Sequence, residues 1–154
     1  MGLISPKLLN PDGSVQLTSR LIPNPFTLIA RFVLKKNFGA IPYHHYKHSF
    51  SAPFVSGACI FIRGSLFKAL GGFDHRYFMY MEDLDLCRKI QLKGYSLLLC
   101  TDAFAIHKHA KGSYKHWKLF LHHLVSMIRY FNKWGWIIDS DRSLRNQIFL
   151  KKLN

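Results

Sequence analysis

The sequence predicts an α/β fold, a mixed sheet with flanking helices, on three observations. Apolar runs of strand length, rich in β-branched and aromatic residues or leucine, occur at residues 54 to 62, 95 to 100 and 103 to 106. Helical periodicity covers residues 82 to 93 and 113 to 134, so strands and helices alternate instead of segregating. The 154 residues are 49% hydrophobic and 15% aromatic, which suits one packed core and excludes a disordered chain.

Each element has a local reason. Asn10-Pro11-Asp12-Gly13-Ser14 is a turn, because Pro presets φ and Gly accepts a positive φ, so the runs on either side should pair as a hairpin. Residues 26 to 38 form a candidate helix with basic Arg31, Lys35 and Lys36, closed by Pro42. In the 54 to 62 strand, Ser56, Gly57 and Ala58 are small enough to let a ligand or another backbone come close. A short helix from Leu66 to Leu70 stops at Gly71-Gly72, and Gly94 suits the left-handed cap of the 82 to 93 helix. The long 113 to 134 helix puts Trp117, Phe120, Leu121, Leu124, Ile128 and Phe131 on one side. Residues 142 to 152 have the spacing of a further helix within a basic tail, 136 to 154.

The functional signal is concentrated. Only eight residues are acidic against 22 Lys and Arg, a formal charge of +14, yet Glu82, Asp83 and Asp85 fall within four positions. Their repulsion calls for a cation, a metal or a shared proton, unless they serve only to complement the first turn of a helix. The excess of positive charge points to an anionic partner: nucleic acid, phospholipid headgroups or a phosphorylated substrate. Lys and Arg are dispersed and no nucleic-acid motif is present, which argues against nucleic acid. His44, His45 and His48 lie close together but lack a second cluster at zinc spacing, so they read as an exposed basic loop. Cys59, Cys87 and Cys100 stand apart in apolar contexts, as buried thiols of a reducing compartment do. No signal-peptide pattern opens the chain and no run of about 18 apolar residues occurs, so the expectation is a cytoplasmic protein, peripheral to the membrane at most.

Several strings together resemble one family. Val55-Ser56-Gly57-Ala58, Gly71-Gly72-Phe73-Asp74, the Phe78 to Cys87 segment with Glu82-Asp83 and Asp85, Lys93-Gly94-Tyr95 and a strand ending at His107 occur in the order found in family 2 nucleotide-sugar glycosyltransferases. The likeness is greatest to the rhamnosyltransferase-type branch that builds bacterial surface polysaccharide, and it covers roughly residues 3 to 135. It implies the C-terminal part of a GT-A (Rossmann-like) fold, with residues 1 to 135 as the acceptor and catalytic-base portion. By this likeness Asp83 is the general base, Glu82 and Asp85 hold it, Ser56, Gly57 and Ala58 line the acceptor side, and His107 is a ligand of a divalent Mg²⁺ or Mn²⁺. The implied partners are a nucleotide-sugar donor and a saccharide or lipid-linked acceptor, with peripheral contact to an anionic membrane. One feature of the family is missing: nothing resembles the N-terminal nucleotide-binding half or its Asp-x-Asp motif, since Asp83-Leu84-Asp85 belongs to the base motif and Asp139-Ser140-Asp141 lies in the tail. The expectation is therefore a fragment inactive alone, and the alternative is a non-catalytic basic module for a membrane surface or nucleic acid.

Overall fold

The computed structural model describes residues 1–34, 36–42, 48–108 and 117–152. His44 and His45, and the start of the 113 to 134 helix, lie outside the described residues.

The architecture is mixed α/β. A five-stranded sheet is built on β1 (Leu3–Leu9) and β7 (Leu97–Ile106), which run parallel as its centre. The hairpin strand β2 (Val15–Gln16) and, further along the same β1 strand, β6 (Phe61–Ile62) pair antiparallel with β1, and β4 (Phe50–Ser51) borders β7. Asn10, Asp12 and Ser14 close the hairpin as the turn residues predict, with the Ser14 N–H and hydroxyl both donating to Asp12 Oδ1. Residues 97 to 106 are one strand instead of the two expected over 95 to 100 and 103 to 106. Its register against β1 jumps from Pro6↔Cys100 to Lys7↔Phe104, and Pro6, which has no N–H to give the ladder, sits at that break.

The expected strand over 54 to 62 is broken. β5 (Phe54–Val55) pairs with β3 (Ser19–Arg20) in a separate two-stranded sheet, β6 pairs with β1, and neither pairs with β7. Between them the Gly57 N–H leaves the ladder and donates to a helix side chain. That is the physical reason the strand stops.

The helices are α1 (Pro25–Leu34), α2 (Gly64–Ala69), α3 (Glu82–Leu92), α4 (Trp117–Trp134) and α5 (Ser140–Lys151). One face of α3 buries Leu86, Cys87 and Ile90 with Leu3, Val55, Leu97 and Leu99 in the sheet-side core. Its other face puts Leu84 into a second core with Ile22, Leu28, Tyr77, Met81, Tyr130 and Phe131. At about 25 cal/mol per Å² these apolar side chains are the main term holding the layers together. Of the basic segment 136 to 154, the described residues 136 to 152 fold back: Phe149 is buried, and Asn146 both accepts from the Ile22 N–H and donates to its carbonyl. Among the described residues no helix is long and apolar enough to cross a membrane.

Candidate functional site

The site is the N-terminal end of α3. The chain reaches it through Tyr80 and Met81, both with positive φ, 66° and 68°. Two consecutive non-glycine residues in the left-handed region are costly and persist only where the surroundings hold them. Here Met81 is buried in the second core, the Tyr80 ring stacks on His123 at 4.5 Å, and Ser126 Oγ donates to the Met79 carbonyl at 2.7 Å. Phe78 stacks on His122 in the same way, at 4.6 Å. The aromatic run before the acids is thus clamped by α4, and the clamp aims the first turn of α3 at the small-residue loop.

At that loop Asp83 meets Gly57. Its Oδ2 accepts the Gly57 N–H at 2.9 Å and its Oδ1 the Leu84 N–H at 2.8 Å. A Cβ on Gly57 would lie 2.9 Å from Asp83 Cβ, so only glycine admits this approach. Ser56 and Ala58 flank it, with the Ala58 N–H turned back onto Ser56 Oγ. Burial pushes the Asp83 carboxyl up, against the downward pull of the Gly57 and Leu84 N–H groups and of Arg31 on α1. Glu82 is raised as well, by burial and then by the charge of Asp83, and its Oε2 is buried with no hydrogen-bond partner among the described residues. His123 is pushed down to about 4 by burial and by Arg31, so this part of the wall is neutral imidazole at neutral pH. The result is a carboxylate of raised proton affinity, oriented by two backbone donors.

Asp85 is elsewhere. Two positions along a helix rotate a side chain by roughly 200°, and Asp85, with 0% exposure, accepts from Trp134 Nε1 at 2.7 Å and pairs with Lys133 Nζ at 2.7 Å. It fastens α3 to α4 and does not touch Asp83's loop. Arg88, one turn on and 1% exposed, is bidentate to Asp139 at 2.6 and 2.8 Å, also binds Asp141 and the Tyr130 hydroxyl, and lies 4.1 Å from the Trp134 ring centre. Asp139-Ser140-Asp141 is therefore the anchor of α5, with Asp139 also capping it through the Arg142 N–H.

His107 directly follows β7, whose last residue is Ile106, one position short of the strand end expected at His107. Its backbone N–H donates to the Leu9 carbonyl and its Nδ1 lies 3.0 Å from Gln16 Oε1. Among the described residues no three His, Cys, Asp or Glu side chains are grouped to hold a metal, so these residues alone do not build a metal centre. Sequence reasoning missed Arg31, His123 and the Tyr80-Met81 kink. The one available signal was the aromatic run itself, too rich in rings for a simple loop.

Comparison with known proteins bears on this geometry. The family described as "Glycosyl transferase family group 2" matches residues 21–152. The N-acetylglucosaminyl-diphospho-decaprenol L-rhamnosyltransferase of Mycobacterium tuberculosis (strain H37Rv) is 29% identical over 97% of this chain and 54% of its own length. Rhamnosyltransferase WbbL of Escherichia coli K12 is 34% identical over 72% of this chain and 42% of its own. The O-antigen biosynthesis protein RfbC of Myxococcus xanthus is 26% identical over 70% of this chain. The chain spans about half the length of the mycobacterial relative.

Proposed function

The chain belongs to glycosyl transferase family group 2, and we propose that it forms the acceptor side of an inverting, nucleotide-sugar-dependent glycosyltransferase with Asp83 as general base. In this reading the Asp83 carboxylate takes the proton of an acceptor hydroxyl as that oxygen bonds to the anomeric carbon. The bond from that carbon to the diphosphate breaks, and the nucleoside diphosphate leaves with the electron pair. The observation that carries the reading is the Asp83–Gly57 contact: a carboxylate of raised proton affinity, held by backbone N–H groups against a loop too small to obstruct an acceptor. Glu82, beside it, keeps local charge high, while Asp85 acts by fixing the helix.

The names of the relatives favour rhamnose as the sugar and a lipid-linked saccharide as the acceptor, since one of them is a diphospho-decaprenol L-rhamnosyltransferase. Such an acceptor lies at a membrane, and peripheral contact with an anionic leaflet would bring the site to it. A divalent Mg²⁺ or Mn²⁺, with His107 as one ligand, belongs to the complete enzyme in this reading and needs ligands beyond the described residues.

The test is sugar transfer with this chain fused to or co-expressed with a nucleotide-binding half from a relative. Transfer is expected from the pair, none from residues 1–154 alone, and Asp83→Asn should lower kcat about 10²- to 10⁴-fold. An Asp83→Asn pair working at full rate would remove Asp83 from the base role.

A further inference from the structure

Helix α4 is apolar on two faces, and only one of them is covered. Met127, Tyr130, Phe131 and Trp134 pack into the second core, while Trp117, Leu121, Val125 and Ile128 form a separate stripe open to solvent, with Trp117 69% exposed. Successive members of that stripe are three or four positions apart, the spacing that lines residues up along a helix. Its border is cationic: Lys118 and Arg129 lie beside it and are exposed. Helix α1 repeats the pattern. Leu28 faces the same core as α4, and Phe26, Ile29 and Val33 are exposed on the outside, Val33 at 70%. No Asp or Glu occurs between residues 13 and 73 or between 103 and 138, so both helices carry positive charge alone.

We propose that the outer faces of α1 and α4 form a docking surface for an anionic phospholipid bilayer, with the apolar stripes entering the headgroup–acyl boundary and the flanking Lys and Arg meeting lipid phosphates. An amphipathic helix that lies in the interface needs an apolar stripe bordered by cations, and α4 presents both, while α1 adds an apolar stripe and its one charge, Arg31, acts on Asp83 and His123. A face made only to be covered by more protein would need the apolar stripe but not a border free of acids. Both helices also bear on the start of α3: α4 supplies His122 and His123 to the stacks on Phe78 and Tyr80, and Arg31 of α1 acts electrostatically on both Asp83 and His123. Docking through these two helices would hold the start of α3, and Asp83 with it, near the lipid interface, where the head of a lipid-linked acceptor lies. That consequence rests on the transferase reading; the docking itself does not.

The experiment is co-flotation of the full chain with vesicles that contain no acceptor, either phosphatidylcholine alone or an equal mixture with phosphatidylglycerol. Binding is expected on the anionic vesicles, weaker by about tenfold or more at 0.5 M salt, with tryptophan emission quenched by brominated acyl chains and less quenching in Trp117→Phe. Leu121→Glu/Ile128→Glu, at exposed positions whose folding circular dichroism verifies, should lose at least tenfold in partitioning, and Val33→Glu a smaller factor. Equal partitioning of the double variant, or binding without quenching by brominated chains, would overturn the proposal. So would loss of wild-type binding when the nucleotide-binding half is supplied, because that half would then be what covers the stripe. Asp83→Asn should bind vesicles as the wild type does, so failure of docking and failure of the transferase reading give different results.

Discussion

Asp83 and Asp85 stand on the same turn of α3 and have opposite surroundings. Asp85 is enclosed by Trp134 and Lys133, and the network continues one turn on through Arg88 to Asp139 and Asp141, so nearly every charge there has a counter-charge. Asp83 has backbone N–H donors and the charge of Arg31 acting on it, and beside it Glu82 has no ion pair among the described residues, its Oε2 lacking a hydrogen bond there as Asp85 Oδ2 also does. One side of the helix is built to stay as it is, and the other is left with charge to spare. Where stability alone is at stake, buried carboxylates are paired with a counter-charge; the Asp83 side departs from that pattern, which is what the proposed base role requires.

That contrast breaks most visibly at Arg88. Arg88→Ala leaves Asp139 and the Tyr130 hydroxyl buried without their cation, and should cost about 3 to 5 kcal/mol in urea unfolding, with α5 released first. A loss under 1 kcal/mol would mean that α5 is held by Phe149 and Asn146 instead. Asp85→Asn keeps an acceptor for Trp134 Nε1 but removes the charge facing Lys133. It should cost about 1.5 to 3 kcal/mol, whereas Asp83→Asn should remain within about 1 kcal/mol of wild type. Equal losses at the two positions would erase the distinction. Gly57→Ala probes the Asp83 side by shape: its Cβ would meet Asp83 Cβ at 2.9 Å, backbone-anchored on both sides, so about 1 to 3 kcal/mol and a displaced carboxylate are expected. In the complemented enzyme its kcat should fall further than its stability explains.

How much of this was legible in the sequence depended on the range of the interaction. The hairpin, α3 and its acidic first turn rest on neighbours a few residues apart, and the turn residues, periodicity and glycine stops announce them. The 54 to 62 strand was misjudged because what ends it is a side chain 26 positions away, Asp83 drawing off the Gly57 N–H. The same holds for the tail: Asp139 and Asp141 look like one more exposed acidic pair until Arg88 is brought to them through the fold. Glu82, Asp83 and Asp85 were read as one cluster, yet helix geometry sends Asp85 away from Asp83, and the period of 3.6 residues was already available to say so. Arg31 gave no local sign of acting on Asp83, nor His123 of stacking on Tyr80, for nothing in either helix marks a partner elsewhere in the chain.

The smallest effect, and the one that most directly compares the two kinds of carboxylate, is the pH dependence of stability. Asp139 is raised by burial, but the Arg88 hydrogen bond, the Arg142 N–H and the adjacent guanidinium charges outweigh this and hold it below its ordinary value. Its contribution is present above the unfolded carboxyl range, about 4, and is lost as pH falls through the lowered value. Asp83 has the opposite sign. Its folded carboxyl is raised, chiefly by burial, so between the unfolded value and the raised one the folded chain binds more protons than the unfolded chain. Stability due to Asp83 is therefore full below about 4 and declines as pH rises through that window. Asp83→Asn removes the titration, so its unfolding free energy should gain on the wild type as pH is raised from about 4 toward neutrality, then run parallel to it. Asp139→Asn should instead fall behind the wild type over the acid range as pH rises. Urea midpoints at half-unit pH steps for the three proteins measure this, and an Asp83→Asn curve that tracks the wild type at every pH would show that Asp83 is solvated like any surface carboxylate and is not poised to take a proton.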